Sequence, residues 1–305
     1  MSKVTCTLLV ISIGCGLVGC GEVDDVAEEE NLGVAQLAAG PLPDTNGLDS
    51  YKVIHAPIFV DQTVSQQFLS NPLRTANLTS TVISSICNDG TSAESLKYIV
   101  KCVLGPSSSV AVTCGGTTTT YTGLVGLASA WGNTGGSCTS ADCKEWVSAC
   151  VLAHSNFRGQ TGVNIQIEGS HAALTSGTAH GSAYVNDESA FWGNLFNNLG
   201  TGQARYGCAG TNANVASGTL KLMDRACGDY TSKQGCMVCD NVFSNDPSGV
   251  CDGSIPANTK TNYLQNLSNN KLQACTGLCS TDAGLNSGYF SGCSGSSRVI
   301  TVWRP

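Results

Sequence analysis

The sequence predicts an α+β, disulfide-rich fold. Two or three packed helices and short antiparallel strands fill the front half, followed by a loop-rich, cysteine-stapled back half. Three observations carry this expectation. Segments near 91–103 and 140–157 repeat apolar residues at helical spacing. Other short segments alternate apolar and polar residues, the period of a strand. Of 17 cysteines, 14 lie beyond residue 50, in a chain with only 12 % charged and 6 % aromatic residues. An even cysteine count in a body so poor in core-forming residues points to disulfides as a main source of stability.

Taken in chain order, the first element is not part of the body. Lys3 precedes an apolar run from Thr7 to Val18, the pattern of a signal peptide, expected to cover residues 1–19. The run is too short to cross roughly 30 Å of hydrocarbon, and no later stretch reaches the ~18 apolar residues a span needs. The run ends in Leu17-Val18-Gly19-Cys20, which resembles the lipobox of bacterial lipoproteins. That resemblance implies cleavage before Cys20, lipid on the cysteine and anchoring to a membrane surface in the bacterial cell envelope, at the outer membrane or cell surface. Residues 20–50 hold eight acidic side chains and no Lys or Arg, and are expected to form a flexible tether. Beyond Ser50 the charges balance at 14 of each sign. With no basic run to meet phosphates, nucleic acid is excluded as a partner.

The body is expected to form an α+β domain over 51–205 and a cysteine- and loop-rich part over 206–305 that either joins it or stands apart. Asn71-Pro72 predicts a helix start, with Leu78, Val82, Ile83 and Ile86 supplying apolar spacing and Asn88-Asp89-Gly90 the stop. Thr91 and Glu94 form a capping-box pattern ahead of Leu96, Ile99, Val100 and Val103. Cys102 lies at the edge of that apolar face, placed to bond a neighbour. Val110, Val112 and Cys114 alternate before Gly115-Gly116 and a threonine run, which predicts a β-hairpin. The helix from about Ser140 to Phe157 puts Cys143, Trp146, Val147, Cys150, Val151 and His154 on one face, and is expected to pack on the preceding helix. Val163, Ile165 and Ile167 alternate as a strand, and regular signals then fade until Arg298 to Trp303, the expected closing strand.

The segments Tyr98 to Cys102, Trp146 to Cys150 and Glu188 to Phe196 together resemble cysteine-rich exported proteins of myxobacteria. The resemblance implies no catalytic residue. Read from the residues alone, Glu168, His171 and His180 sit at a strand end and in the loop after it, where three such ligands and a water would suit zinc. Against this, no His-Glu-x-x-His or Gly-x-Ser-x-Gly pattern is present. Asp187 or Glu188, paired with Glu168 or Asp224, offers carboxylates for acid/base chemistry only if the fold assembles them. Trp131, Trp146, Trp192 and Trp303 are candidates to stack on sugars, although Trp146 has the helical phase of a core residue. Asp240 to Asp252 offers oxygens without EF-hand spacing. Cys236 and Cys239, like Cys275 and Cys279, have the spacing of zinc or redox sites, but disulfides are expected in an oxidising compartment. His154 is expected as a buried, satisfied core histidine. Two functions are weighed: a non-catalytic surface protein for binding or envelope structure, and an envelope hydrolase, with or without a metal, acting on carbohydrate or peptide polymers.

Overall fold

In a computed structural model describing residues 42–156, 163–174, 183–196, 203–210, 275–282, 288–293 and 296–305, the fold is α+β and disulfide-rich. Two short strands, β1 (Leu42–Asn46) and β2 (Leu48–Asp49), precede the helices α1 (Ser50–His55), α2 (Pro57–Val60), α3 (Gln62–Ser70), α4 (Ser80–Asn88) and α5 (Gly90–Val103). Asp61 caps α3 by accepting the Thr63 and Val64 N–H groups. The expected helix start at Asn71-Pro72 is corrected. A residue before proline is held in extended backbone, and here that ends a helix. The Asn71 amide donates to Gln67 O at 2.7 Å and closes α3. α4 starts instead at Thr79, whose hydroxyl accepts the Val82 N–H. Leu78 and Ile83 flank that cap at the spacing of a hydrophobic staple and pack against the core.

The expected capping box at Thr91 and Glu94 is not formed. Asp89, at the junction of two helices, caps α5 by accepting the Thr91 N–H at 3.0 Å, and Glu94 pairs with Lys52 of α1. Leu96, Ile99, Val100 and Val103 are buried as their spacing predicts. The hairpin forms between β3 (Ser109–Cys114) and β4 (Thr117–Thr122). Its turn needs Gly115 and Gly116, both at left-handed φ (55° and 86°). A disulfide from Cys87 to Cys114 ties it to α4.

α6 (Ala141–Ala153) begins at Ser140, which accepts the Cys143 N–H. It packs on α5 and is bonded to it through Cys102 and Cys150. α6 stops earlier than its apolar spacing predicts, because β5 (Ser155–Asn156) turns away to pair in parallel with β2 (Leu48–Asp49). The end of the segment expected as a tether, residues 42–50, instead lies in folded elements. β1 (Leu42–Asn46) is already an edge strand, paired with β6 (Val163–Glu168). Asp44 and Asp49 therefore belong to the body, which then carries 16 acidic and 14 basic residues.

The main sheet is antiparallel and ordered β1, β6, β11 (Ile300–Arg304), β7 (Asn186–Asn194), β8 (Ala204–Ala209). The closing strand thus lies at its centre, and the expected division near residue 205 runs through a single sheet. β7 and β8 were not expected as strands. β7 is buried along seven consecutive residues, so it lacks the alternation that betrays a strand with one wet face. Gly193 in β7 has φ 135°, and a Cβ there would lie 2.2 Å from Ala204 O. Ile165, Ile167, Phe191, Ile300 and Val302 face the helices. Ala190, Trp192 and Cys208 face the other way, against α7 (Cys275–Leu278), β10 (Phe290–Cys293) and Val299. There β9 (Cys279–Thr281) pairs with β10, and disulfides join Cys208 to Cys275 and Cys279 to Cys293. With Cys138–Cys143, three of the five described disulfides lie in the front part. Cross-linking is therefore not a property of the back half alone.

Candidate functional site

The register of β1 puts Asp44 opposite Ile165, on the helical face of the sheet. There Lys101 donates to both Asp44 oxygens at 2.7 and 2.8 Å. His154, fully buried at the end of α6, brings Nε2 to 2.9 Å from Asp44 Oδ2 and Nδ1 to 2.8 Å from Cys150 O. Two acceptors are satisfied together only by a ring carrying hydrogen on both nitrogens. Burial disfavours the Asp44 charge, but hydrogen bonds and positive charge from His154, then from Lys101, outweigh it and hold the carboxyl well below its usual range. Burial, with the nearby charges of Glu94 and Asp44, pushes the Tyr98 hydroxyl up to about 12. The cluster locks β1 to α5 and α6, and His154 is the satisfied core histidine its helical phase predicts.

Of the predicted metal ligands, Glu168 and His171 do not meet in this way. Glu168 is buried opposite Thr301, on the sheet face away from the helices, where Gln166 Nε2 donates to it at 3.0 Å. His171 packs edge-on against Trp146 of α6, with ring centroids 5.1 Å apart. Its Nδ1 accepts the Ala173 N–H at 3.1 Å, which places the ring hydrogen on Nε2. A metal at Nε2 would need the opposite tautomer and the loss of that bond. Burial lowers the His171 pKa, with Asp142 opposing. Gly169 lets the chain pass close to Val299 O and Trp146, so residues three apart end on opposite sides of the sheet. His180 and Asp224 lie outside the described residues, as do Cys20, Cys236, Cys239 and the Asp240 to Asp252 oxygens.

Glu188 is the extra residue of a β-bulge facing Val302 and Trp303, and it pairs with the Arg304 guanidinium at 3.1 Å. Neither it nor Asp187 joins a group of three metal-competent side chains among the described residues. The two such groups are Cys102, Cys150 and His154, and Cys208, Cys279 and Cys293. Every cysteine in both is bonded in a disulfide. The tryptophans are corrected as sugar-stacking candidates: Trp131, Trp146, Trp192 and Trp303 are between 1 and 7 % exposed.

A cleft of about 570 Å³ opens on the helical layer, within the roughly 300–1,000 Å³ typical of small-ligand sites. Its floor is Leu73 and Leu104, both buried. Its rim carries the hydroxyls of Thr75, Ser108, Ser109, Ser129 and Thr134, with Asn133 beside them. The walls are fixed by backbone and side-chain bonds. Leu73 N–H donates to Trp131 O at 3.0 Å, the Trp131 indole to Asn71 O at 2.8 Å, and Ala111 N–H to the Thr75 hydroxyl at 2.8 Å. Arg74 is the one charged residue of the lining. One of its nitrogens donates to the Thr134 hydroxyl at 2.7 Å. Arg298 and Arg304 have acidic partners, but Arg74 has none among the described residues. Sequence reading missed this site, because serine, threonine and asparagine in glycine-rich loops carry no signal beyond solubility. Compared with known proteins, the chain matches no family model, no curated protein and no solved structure.

Proposed function

We propose that the chain is an exported lipoprotein, held by lipid on Cys20 at a bacterial envelope membrane, whose disulfide-hardened body binds a ligand without transforming it. The observation that carries this reading is the cleft over Leu73 and Leu104. It is preformed and rimmed by hydroxyls, and it holds no carboxylate, histidine or cysteine. General acid/base or nucleophilic chemistry needs one of those groups, or a metal they would hold, within reach of the reacting atom. Elsewhere in the described body His154 and Asp44 are engaged in the buried charge cluster, Glu188 with Arg304, and ten cysteines in disulfides. The disulfides also support an oxidising compartment.

Two measurements test the two halves of the reading. Cys20→Ser should move the protein from the membrane to the soluble fraction, and unchanged fractionation would remove the anchor. Full-length protein in detergent should co-sediment with isolated envelope material and leave its polymers intact. Release of sugar or peptide fragments, abolished by a single change at Glu168 or His171, would replace this reading with the hydrolase.

A further inference from the structure

The chemistry of the cleft narrows the ligand. Its floor is aliphatic, its rim is made of neutral hydrogen-bonding groups, and its single charge is the Arg74 guanidinium. A lining without Asp or Glu makes the recess locally positive and selects for an anion. The Ser108 and Ser109 hydroxyls and the Asn133 amide have no hydrogen-bond partner in the described body, so they can donate and accept toward an occupant. Sugar sites commonly add an aromatic face on which a ring stacks, and this lining has none. Serine hydroxyls suit instead the alternating donors and acceptors of a peptide backbone.

We propose that the cleft captures the C-terminal carboxylate of a peptide. Arg74 binds the carboxylate, and the serine and asparagine groups bind the adjoining amides. Terminal-carboxylate capture is an established recognition mode, and a guanidinium can meet both carboxylate oxygens at once. The fixed walls mean little ordering cost on binding. This proposal rests on the binding reading above and specifies the ligand of the same cleft.

The test uses full-length protein in detergent and three probes: N-acetyl-trialanine, its C-terminal amide, and a trigalacturonate. Calorimetry or ligand-observed NMR should show binding of the free-acid peptide and at least about tenfold weaker binding of the amide, the loss of one charge-assisted contact. Arg74→Gln should bring the acid down to the level of the amide. Ser109→Trp, which fills the rim at an exposed position, should abolish both, with circular dichroism and melting unchanged. Equal binding of acid and amide, wild-type binding in both variants, or binding of trigalacturonate in place of the peptide would each overturn the proposal. Co-sedimentation with envelope material separates the two levels. If wild type co-sediments but binds neither the free-acid peptide nor its amide, the cleft assignment fails and the binding reading stands. If wild type does not co-sediment and releases fragments, the binding reading itself fails.

Discussion

Among the described residues, 39 buried side chains from Leu48 to Val302 form one continuous cluster on the helical face of the sheet, whereas the opposite face gathers a second cluster of seven, three of them cysteines. The first face has enough apolar burial to order itself, and its disulfides join elements already packed together. The second has little to bury among the described residues, and Cys208–Cys275 and Cys279–Cys293 hold it in place of a core. Among the described residues, one sheet thus carries two modes of stabilisation, packing on one side and restriction of the unfolded chain on the other. The cleft lies on the packed side, where fixed walls are available.

The charge cluster is the most demanding test of the packed face. Asp44→Ala leaves His154 buried without its carboxylate, and breaking such a pair costs about 3–5 kcal/mol. Denaturant titration measures the loss. The pH dependence has a definite sign. The folded Asp44 carboxyl lies below its unfolded value near 4, so its contribution is complete above that value and is lost as the pH falls through the folded one. Asp44→Asn should flatten the acid limb of a stability-versus-pH curve. An acid limb as steep as that of wild type would show that other carboxylates dominate it.

The opposite face is tested through its cross-links. A Cys208→Ala, Cys275→Ala double variant opens a bond between residues 67 apart and should cost about 2–4 kcal/mol. Hydrogen exchange sharpens the contrast: β8 and β10 amides should lose protection while α5 amides keep theirs. Equal loss on both faces would mean that the two unfold as one unit and that the distinction drawn between them has no energetic content.

What was legible in the sequence divides along the same line. α5 and the hairpin could be read because one side of each meets water, so their apolar residues recur with a period, and Gly115-Gly116 marks the turn. β7 could not, since both its faces are covered and Ser189-Ala190-Phe191-Trp192 shows no alternation. In the sequence Asp44 reads as one more solvated acid of residues 20–50, and only pairing with β6 brings it to His154, 110 residues away. Glu168 and His171 looked like partners because they are close in sequence, and the chain's passage at Gly169 separates them. The cleft was illegible for the converse reason, since its lining comes from segments near residues 74, 104, 108 and 132 whose residue types are those of any loop.

The smallest effect concerns a boundary inside the packed face. A Thr-x-x-Glu pattern points to Thr91 as the start of α5, but Asp89 accepts the Thr91 N–H, and the Thr91 hydroxyl donates back to Asp89 Oδ2 at 2.5 Å. If Asp89 is the cap, Asp89→Ala removes the acceptor for an otherwise orphaned N–H and should cost about 1 kcal/mol. It should also loosen the corner between α4 and α5, because the Asp89 N–H bonds back to Ser85 O and closes α4. Thr91→Ala removes only a hydroxyl bonded to the cap, and should cost about half a kcal/mol or less. The reverse order in melting experiments would restore the capping box. Equal, negligible losses would show that packing of Leu96 and Ile99 sets where the helix begins, whichever residue stands at its end.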